Sequence, residues 1–361
     1  MTTPRVEVDL AKVTGNARSL VARLAARGIG VTGVTKGVGS HPAIARAMLA
    51  GGVTRLADAR VSGLERMRAA GIDVPMALIR TPMLSQVDRV VRVCDVSLNT
   101  EADVIDALAR AARRTGRRHG IVLMVELGDG REGIRPAAIR VAARKVAATD
   151  GVVLHGLGAN FACLSGRPPD RAAMAMLSSL AMAVEAELGL PLATISGGGS
   201  SSLPWALGSR GPSRIDDLRL GEAILLGLDP VSGAGIDGLA TDAFAIVAEV
   251  IETVAAPGPL ATPRPDCGRE AILALGHLDV DINGLVMPDR LTRIGATSDH
   301  LVVTARGPAL AVGDEIGFRP SYAALARAMT APDMTVVAGE GLQRPPTVQP
   351  HRCDSSTWTA A

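Results

Sequence analysis

Aromatic residues are scarce in this sequence and make up 2% of its 361 residues. With one tyrosine, two tryptophans and three phenylalanines, the chain has few rings on which nucleic-acid bases could stack. The net charge is only +2, so no basic surface for nucleic acid or anionic membranes is indicated. The core must therefore be built from Ala, Val, Leu, Ile and Met.

Cysteine and long apolar runs are also lacking. Cys94, Cys163, Cys267 and Cys353 lie far apart and form no Cys-x-x-Cys pair, which argues against a zinc cluster and a disulfide framework. No apolar run reaches about 18 residues, so no membrane span is expected. The first residues lack an apolar signal region, and we expect a protein of the reducing cytoplasm.

What the sequence does contain is a long alternation of strand-like and helix-like segments. Strands that alternate with helices indicate βαβ units and a parallel sheet. Eight such strands favour an α/β fold with a closed (β/α)8, TIM-like barrel, and a doubly wound open sheet is the alternative. The strand-like runs are residues 30–35, 54–57, 76–80, 94–98, 121–127, 152–158, 192–196 and 217–220. The helix-like segments are residues 11–27, 42–50, 61–70, 84–91, 101–115, 136–148, 170–188 and 201–208.

The pattern changes after about Asp229, where Pro, Gly and Asp become frequent and short β-branched runs follow. This change predicts a smaller C-terminal β domain. We assign the barrel to residues 11–229 and the β domain to residues 230–337, which the strand at 4–10 is expected to join. The tail at 338–361 is expected to be disordered.

Lys36 ends the first strand of the predicted barrel. A lysine that is partly removed from water has a lowered pKa, and its amine can then form a Schiff base with a carbonyl. A lysine that simply points into solvent is the alternative. Polar and glycine-rich segments follow the fifth to eighth strands, at the rim where barrel enzymes carry their chemistry. This convergence favours a functional lysine.

The run Ser196–Ser202 is a candidate phosphate cradle, because glycines let backbone N–H groups approach an anion and serine hydroxyls donate as well. Gly221 and Glu222 add further backbone donors. Such a run is usually only a loop, but the loops after strands seven and eight of a barrel often bind phosphate. A Schiff-base lysine with a phosphate cradle points to pyridoxal 5'-phosphate.

Several stretches resemble the alanine racemase-like, fold-type III pyridoxal phosphate enzymes, and among them the ornithine racemase group. The resemblance covers roughly residues 4–335. It rests on Gly-Val-Thr-Lys36-Gly, Val125-Glu-Leu-Gly-Asp-Gly-Arg131-Glu-Gly, Gly156-Leu-Gly-Ala-Asn160, Ser196-Gly-Gly-Gly-Ser-Ser-Ser and Leu218-Arg219-Leu-Gly221-Glu-Ala. The combination is far more specific than any one of these motifs.

The resemblance implies a role for each matching residue. Lys36 would hold the cofactor as a Schiff base and act as one catalytic base. Arg219 would face the pyridine nitrogen, Asn160 would lie against the ring, and Arg131 would lie near the cofactor and the substrate. An ion pair of Arg131 with Glu132 or Asp129 is the alternative. The phosphate would be held by Ser200, Ser201, Gly221 and Glu222.

The resemblance also implies a homodimer in which the C-terminal domain of one subunit supplies the second base to its partner. The family's tyrosine is replaced here by His277, in Leu275-Gly-His-Leu-Asp279. Histidine titrates near neutrality and could transfer the proton, while a structural histidine paired with Asp279 is the alternative. Tyr322 resembles a late tyrosine that reaches the phosphate or the site entrance. Asp299 could contact a substrate amine.

Two further departures stand out. The family's tyrosine shortly after the lysine is replaced by Ser40 or a neighbour, and Met124 takes a position that is a carbamylated lysine in many alanine racemases.

From the combined motifs we predict an amino-acid racemase for ornithine or another basic amino acid. A lyase, aldolase or dehydratase of a hydroxy amino acid with the same cofactor is the alternative, as is a cofactor-binding protein without racemase activity.

Overall fold

The computed structural model describes residues 3–208, 211, 213–254 and 270–341. The chain forms two compact units. One unit is Leu10–Ala243, and the other joins the residues before Leu10 to those from Phe244 onward. The first strand, β1 (Arg5–Asp9), belongs to the second of these units.

The unit Leu10–Ala243 contains a closed barrel of eight parallel strands in its described part. The first and last strands pair in register, with Gly30 opposite Asp217, which closes the ring. All the carboxyl ends of the strands therefore lie on one rim, and the predicted barrel fold is confirmed. The strands are β2 (Gly30–Val34), β3 (Arg55–Asp58), β4 (Met76–Leu78), β5 (Val96–Asn99), β6 (His119–Val125), β7 (Val152–Ala159), β8 (Thr194–Ser196) and β9 (Asp217–Leu220).

Helices connect the barrel strands. They bury one apolar face and leave the other polar, as α5 shows with Val104, Leu108 and Ala111 buried. The longest, α7, starts at the cap Asp170, whose Oδ1 accepts the Ala173 N–H at 2.7 Å. The helices are α1 (Leu10–Ala25), α2 (Pro42–Ala50), α3 (Val61–Ala69), α4 (Val87–Val93), α5 (Ala102–Arg114), α6 (Ile139–Ala147), α7 (Arg171–Leu188), α8 (Leu203–Leu207) and α9 (Glu222–Leu226).

The second unit is built on a mostly antiparallel sheet. Its path runs β12-β15-β10-β11-β14-β13, and β1 pairs with both β10 and β16. Phe318 lies opposite Ile246, and both side chains are fully buried in the core of this unit. Its elements are β10 (Phe244–Val254), β11 (Glu270–Leu273), β12 (Leu285–Val286), β13 (Leu291–Ala296), β14 (Leu301–Ala305), β15 (Glu315–Pro320), α10 (Tyr322–Ala328) and β16 (Thr335–Gly339).

The domain boundary differs from the predicted one. Residues between Asp229 and Ala243 belong to the barrel unit, because the buried Asn16 of α1 holds Ala240. The Asn16 Nδ2 donates to the Ala240 carbonyl at 2.8 Å, and its Oδ1 accepts the Ala240 N–H at 2.7 Å. β16 extends past residue 337, where we expected the tail to begin, and residues 342–361 lie outside the described part. No helix in the described residues is long and apolar enough to cross a membrane.

Candidate functional site

Lys36 lies just beyond the carboxyl end of β2, as the first residue of a short 3-10 turn, Lys36–Val38. Its side chain is exposed, although we expected partial burial. The reason is local: β2 ends at Val34, Thr35 is buried just after it, and Lys36 is the exposed first residue of a turn in which Gly37 and Val38 are buried again. The amine is therefore accessible to a carbonyl compound at the rim.

The turn that carries Lys36 is held on both sides by one buried carboxylate, Asp58 at the end of β3. The hydroxyls of Thr35 and Ser40 each donate to Asp58 Oδ2 at 2.7 Å. Asp58 Oδ1 accepts the N–H of Arg60 at 2.9 Å. Because a buried carboxylate with several donors is fixed in place, the backbone on either side of Lys36 is fixed with it.

Ser40 or a neighbour replaces the tyrosine that the resemblance places shortly after the lysine. The structure directs the Ser40 hydroxyl to Asp58, and the Ser40 backbone has a φ of 55°. A Cβ added to Gly63 of α3 would lie 2.1 Å from the Ser40 Oγ, so Gly63 is what allows this close approach. Ser40 thus supports the Lys36 turn in this chain.

The predicted phosphate cradle follows β8 as a 3-10 turn, Ser200–Ser202, and then α8, which is shorter than predicted. Ser200 Oγ accepts the N–H of Ala223, in the first turn of α9, at 3.2 Å. Ser201 Oγ donates to the Phe161 carbonyl at 3.1 Å. These contacts join the segments that follow β7, β8 and β9 on the rim.

Several donors in this cradle have no partner in the part of the chain that the structure describes. The backbone N–H groups of Gly221 and Glu222 donate to no acceptor in the described residues. The buried Ser202 hydroxyl has no partner there either. Unpaired donors in a buried, glycine-rich turn suit an anion such as a phosphate.

Arg219 is buried on β9 and points into the barrel end. Its Nη2 donates to the Ala159 carbonyl at 2.8 Å and to Asn160 Oδ1 at 2.7 Å. Its Nη1 donates to Ser196 Oγ, and the Ser196 hydroxyl in turn donates to Asp217 Oδ2 at 2.5 Å. Burial lowers the pKa of Arg219, while the Asp217 charge opposes that shift.

Asn160 continues this network toward Arg131. Its Nδ2 donates to Glu132 Oε1 at 2.8 Å. Arg131 Nη2 donates to the same Oε1 at 2.7 Å, and Arg131 Nε donates to Oε2. The ion pair that we weighed as the alternative for Arg131 is therefore present, and it belongs to a chain of contacts that reaches Arg219.

A second carboxylate, Asp129, connects the loop after β6 with the loop after β7. Its Oδ1 accepts the N–H groups of Cys163, Leu164 and Ser165 at 2.9, 3.0 and 3.3 Å. Burial alone would raise the pKa of Asp129, but these backbone donors lower it on balance. The side chain thereby ties the loop after β6 to the loop after β7.

Met124, at the position of the carbamylated lysine of many relatives, is fully buried on β6. It packs in an apolar cluster with Leu98 and Val122. A buried thioether carries no charge, so any charge that orients Arg131 has to come from elsewhere. In this structure it comes from Glu132 and, at 3.9 Å, from Asp129 Oδ2.

Glu222 begins α9 beside the cradle. Burial raises the pKa of its carboxyl to about 7, the charge of Asp229 adds to the shift, and the charge of Lys36 opposes it. Its side chain accepts no hydrogen bond in the described residues. Glu222 is thus a half-buried carboxyl group within electrostatic reach of the Lys36 amine.

The other predicted residues lie in the second unit. His277 is exposed in a turn whose backbone is held by Thr297 and Arg327. Our alternative for His277 was a structural pair with Asp279; in the described residues Asp279 Oδ2 accepts the Gly276 N–H at 2.8 Å. A Cβ on Gly276 would lie 2.0 Å from the Ser298 carbonyl, so this turn requires glycine.

Asp299 and Tyr322 also lie in this unit. Asp299 is exposed, and its Oδ2 accepts the Ser298 hydroxyl at 2.9 Å. Tyr322 is half-buried as the first residue of α10, a helix that we did not predict. Among the described residues, no group of His, Cys, Asp and Glu side chains could hold a metal ion.

Sequence reasoning missed the carboxylates that organise the rim. Asp58, Asp129 and Asp217 are each buried. Asp58 ends β3 and Asp129 follows β6, whereas Asp217 begins β9 and reaches the rim through Ser196, the last residue of β8. Their signal was available, because a charged residue beside an apolar strand is costly unless it is paired. We named Glu132 only as a partner of Arg131 and did not foresee its contact with Asn160.

Residues 8–230 match the family model "Alanine racemase, N-terminal domain". The chain is 34% identical to the lysine racemase of Thermotoga maritima over 92% of this chain and 97% of that protein. It is 30% identical to the ornithine racemase of Acetoanaerobium sticklandii over 91% and 97% of the two chains. The crystal structure of D-threonine aldolase from Filomicrobium marinum superposes with a TM-score of 0.76 at 20% identity, over 94% of this chain and 92% of that one.

Proposed function

The chain belongs to the alanine racemase family, and from that premise we propose that it is an amino-acid racemase dependent on pyridoxal 5'-phosphate, acting on a basic amino acid. The observation that carries the proposal is the convergence of Lys36, Arg219 and the cradle on one rim of the barrel. The two relatives above are named for lysine and ornithine, which are both amino acids with a second, distal amino group. Both relatives are matched over 97% of their length.

The residues on the rim fit the cofactor. The N–H groups of Gly221 and Glu222 donate to no acceptor in the described residues, and the Ser200 oxygen accepts the Ala223 N–H and keeps its own proton to donate. These three donors would form the anion site that a phosphate needs, whereas the Ser201 hydroxyl already donates to the Phe161 carbonyl. The accessible Lys36 amine provides the covalent anchor, and Arg219 and Asn160 provide hydrogen-bonding groups for a polar ring. When bound, pyridoxal phosphate withdraws the electron pair left on Cα after a proton is removed.

Arg219 fits a reaction that returns the proton to Cα. A guanidinium is a donor without an acceptor and stays protonated, so it leaves a pyridine nitrogen beside it unprotonated. A ring of that kind is a weaker electron sink, which favours reprotonation at Cα over transamination. Ser196 and Asn160 hold the guanidinium plane from two sides, and this fixes its direction.

Racemisation needs proton transfer on both faces of Cα. Lys36 serves one face in this proposal. The partner subunit's His277 serves the other, in a homodimer whose C-terminal domains complete the sites. The support from this chain is that the His277 side chain is exposed and bonded to no group in the described residues, while its backbone is firmly held.

A basic substrate needs an acidic side chain for its distal ammonium group. Asp279 and Asp299 accept donors of their own turns, whereas Glu222 has no donor in the described residues. A half-buried carboxyl group without a partner gains most from pairing with a cation. We therefore assign recognition of the distal ammonium to Glu222, and a contact with the substrate to Arg131.

The purified protein should be mixed with pyridoxal phosphate and then incubated in deuterated water with separate L-amino acids. We expect a visible absorbance that Lys36→Ala abolishes, together with deuterium-labelled D-lysine or D-ornithine. Glu222→Gln should raise KM for lysine more than KM for alanine. Absence of the Lys36-dependent absorbance would refute the cofactor assignment. An aldehyde or keto acid released from a hydroxy amino acid, without inversion, would favour the lyase reaction instead.

A further inference from the structure

Glu132 accepts hydrogen bonds from two other members of the polar network on the rim, although the proposed reaction gives it no role. Its Oε1 accepts two hydrogen bonds, from Arg131 Nη2 at 2.7 Å and from Asn160 Nδ2 at 2.8 Å. Its Oε2 accepts Arg131 Nε. The two residues that it holds come from different segments, one after β6 and the other after β7.

The contact with Asn160 determines which way that amide faces. An amide has a donor end and an acceptor end, and Glu132, as a carboxylate, can only accept. The Asn160 NH2 group must therefore face Glu132, which leaves Oδ1 to face Arg219 Nη2 at 2.7 Å. A rotated amide would set its NH2 group against a guanidinium, where neither group can accept.

The contact with Arg131 determines the plane of that guanidinium. A fork of two N–H groups on one carboxylate fixes direction as well as distance. Burial alone would lower the pKa of Arg131, but the Glu132 hydrogen bonds and nearby charges raise it on balance. The Arg131 side chain is 38% exposed, so without this carboxylate it would be free to turn toward solvent.

We propose that Glu132 is a positioning residue, which holds Arg131 toward the substrate and, through Asn160, holds the guanidinium of Arg219 that faces the cofactor ring. The inference rests on the proposed function for its catalytic consequence. The positions of the two arginines can be tested without it. One carboxylate thus couples the group that meets the substrate to the group that meets the cofactor.

The substitution Glu132→Gln tests this with little change in shape. It removes the charge and replaces one acceptor with an amide donor, which conflicts with the donors of Arg131 and Asn160. Glu187→Gln is the matched control. The Glu187 carboxylate, on the outer helix α7, also accepts hydrogen bonds from two arginines, Arg140 and Arg144, which both lie on α6. Thermal midpoints of both variants should remain close to that of the wild-type protein.

The first readout is the set of guanidinium NMR signals in cofactor-free protein labelled with ¹⁵N-arginine, assigned by single Arg→Lys variants. Glu132→Gln should shift the signals of Arg131 and Arg219, and in an Asn160→Ala background it should shift Arg131 alone. Glu187→Gln should leave both signals in place. Unchanged signals in Glu132→Gln would overturn the inference, even if the protein proved to have no racemase activity.

The second readout is kinetic and applies once the wild-type protein is shown to racemise an amino acid. We expect Glu132→Gln to lower kcat/KM by roughly tenfold or more, as for a lost hydrogen bond to a charged group. In a background that carries both Arg131→Ala and Asn160→Ala the same change should cost no more than about twofold, because both groups that Glu132 holds are gone. A kcat/KM equal to that of Glu187→Gln, or a tenfold cost that persists in this double background, would refute the positioning role.

Discussion

Gly63 is the point at which the support of the Lys36 turn can be tested most directly. A Cβ at this position would lie 2.1 Å from Ser40 Oγ and 3.1 Å from the Asp58 carboxyl group. The substitution Gly63→Ala therefore requires the Ser40 hydroxyl to leave its acceptor. Contacts of about 2 Å cannot be absorbed by small shifts, because protein interiors are close-packed.

The magnitude follows from two opposing effects. A hydrogen bond to a charged group contributes roughly 1.5–3 kcal/mol, and Gly63→Ala should remove the one from Ser40 to Asp58. Alanine favours a helix interior over glycine by about 1 kcal/mol, which offsets part of that loss. We expect the free energy of unfolding to fall by roughly 0.5–2 kcal/mol.

Urea denaturation of the cofactor-free protein measures this change, and Gly15→Ala is the matched control. Gly15 also lies inside a helix, α1, but a Cβ there would meet nothing within 4 Å. Gly15→Ala should raise the free energy of unfolding by about 0.5–1 kcal/mol. Cofactor affinity should fall in Gly63→Ala only, because the Lys36 turn loses one of its two anchors.

A double-mutant cycle with Ser40→Ala tests the cause. If Gly63→Ala acts by displacing the Ser40 hydroxyl, most of its cost should disappear when that hydroxyl is already absent. Two results would contradict the reasoning. One is a Gly63→Ala protein as stable as Gly15→Ala, and the other is a pair of costs that simply add.

Three further outcomes are expected. Burial lowers the pKa of His119 to about 4, so the free energy of unfolding should drop by about 3 kcal/mol as pH falls from 6.5 to 4. His119→Gln should flatten that dependence in urea titrations, and replacement of the exposed His300 should not. Burial raises the pKa of the Glu222 carboxyl to about 7, so between pH 4.5 and 7 this carboxyl keeps its proton in the folded state and loses it in the unfolded state. The free energy of unfolding should therefore decline as pH rises through this range. Glu222→Gln should remove that decline, and an unchanged slope would contradict the burial of this group. Asp129→Ala leaves the three backbone donors of the 163–165 segment without their acceptor, and should lower the free energy of unfolding by about 2 kcal/mol and speed hydrogen exchange there.

The fold was predictable because its signal is repeated. Each apolar run such as Ile121–Val125 is buried on all sides, so it has to be continuous, and each is followed by a segment with a helical period. The closure of the barrel itself was only favoured by the strand count. The short strands of the second unit were harder to predict, since β12 has two residues and β13 is exposed at three of its six residues.

The candidate site was predictable where chemistry demands a residue type and less so where geometry decides. Lys36 and the glycine-serine run were predicted as site residues from their place at strand ends, and the structure places both at the carboxyl ends of barrel strands. The exposure of Lys36 and the commitment of Ser40 to Asp58 were not, since they depend on how β2 and β3 lie side by side. The orientation of Asn160 depends on two residues distant in sequence, Glu132 and Arg219. No local pattern reports such a contact.

The pairing of β1 has a consequence for the order in which the chain can fold. β1 and β10 are antiparallel neighbours, with Val8 opposite Phe244, so the whole barrel occupies the place of a hairpin loop. β1 is synthesised before the barrel, whereas its partner β10 is synthesised after the barrel and its partner β16 follows β15. Barrel folding shortens this very long loop before its ends meet, which reduces the entropy lost on closure. On a ribosome, the first strand to emerge is thus among the last to be paired, and its apolar Val6 and Val8 must wait until the barrel is complete.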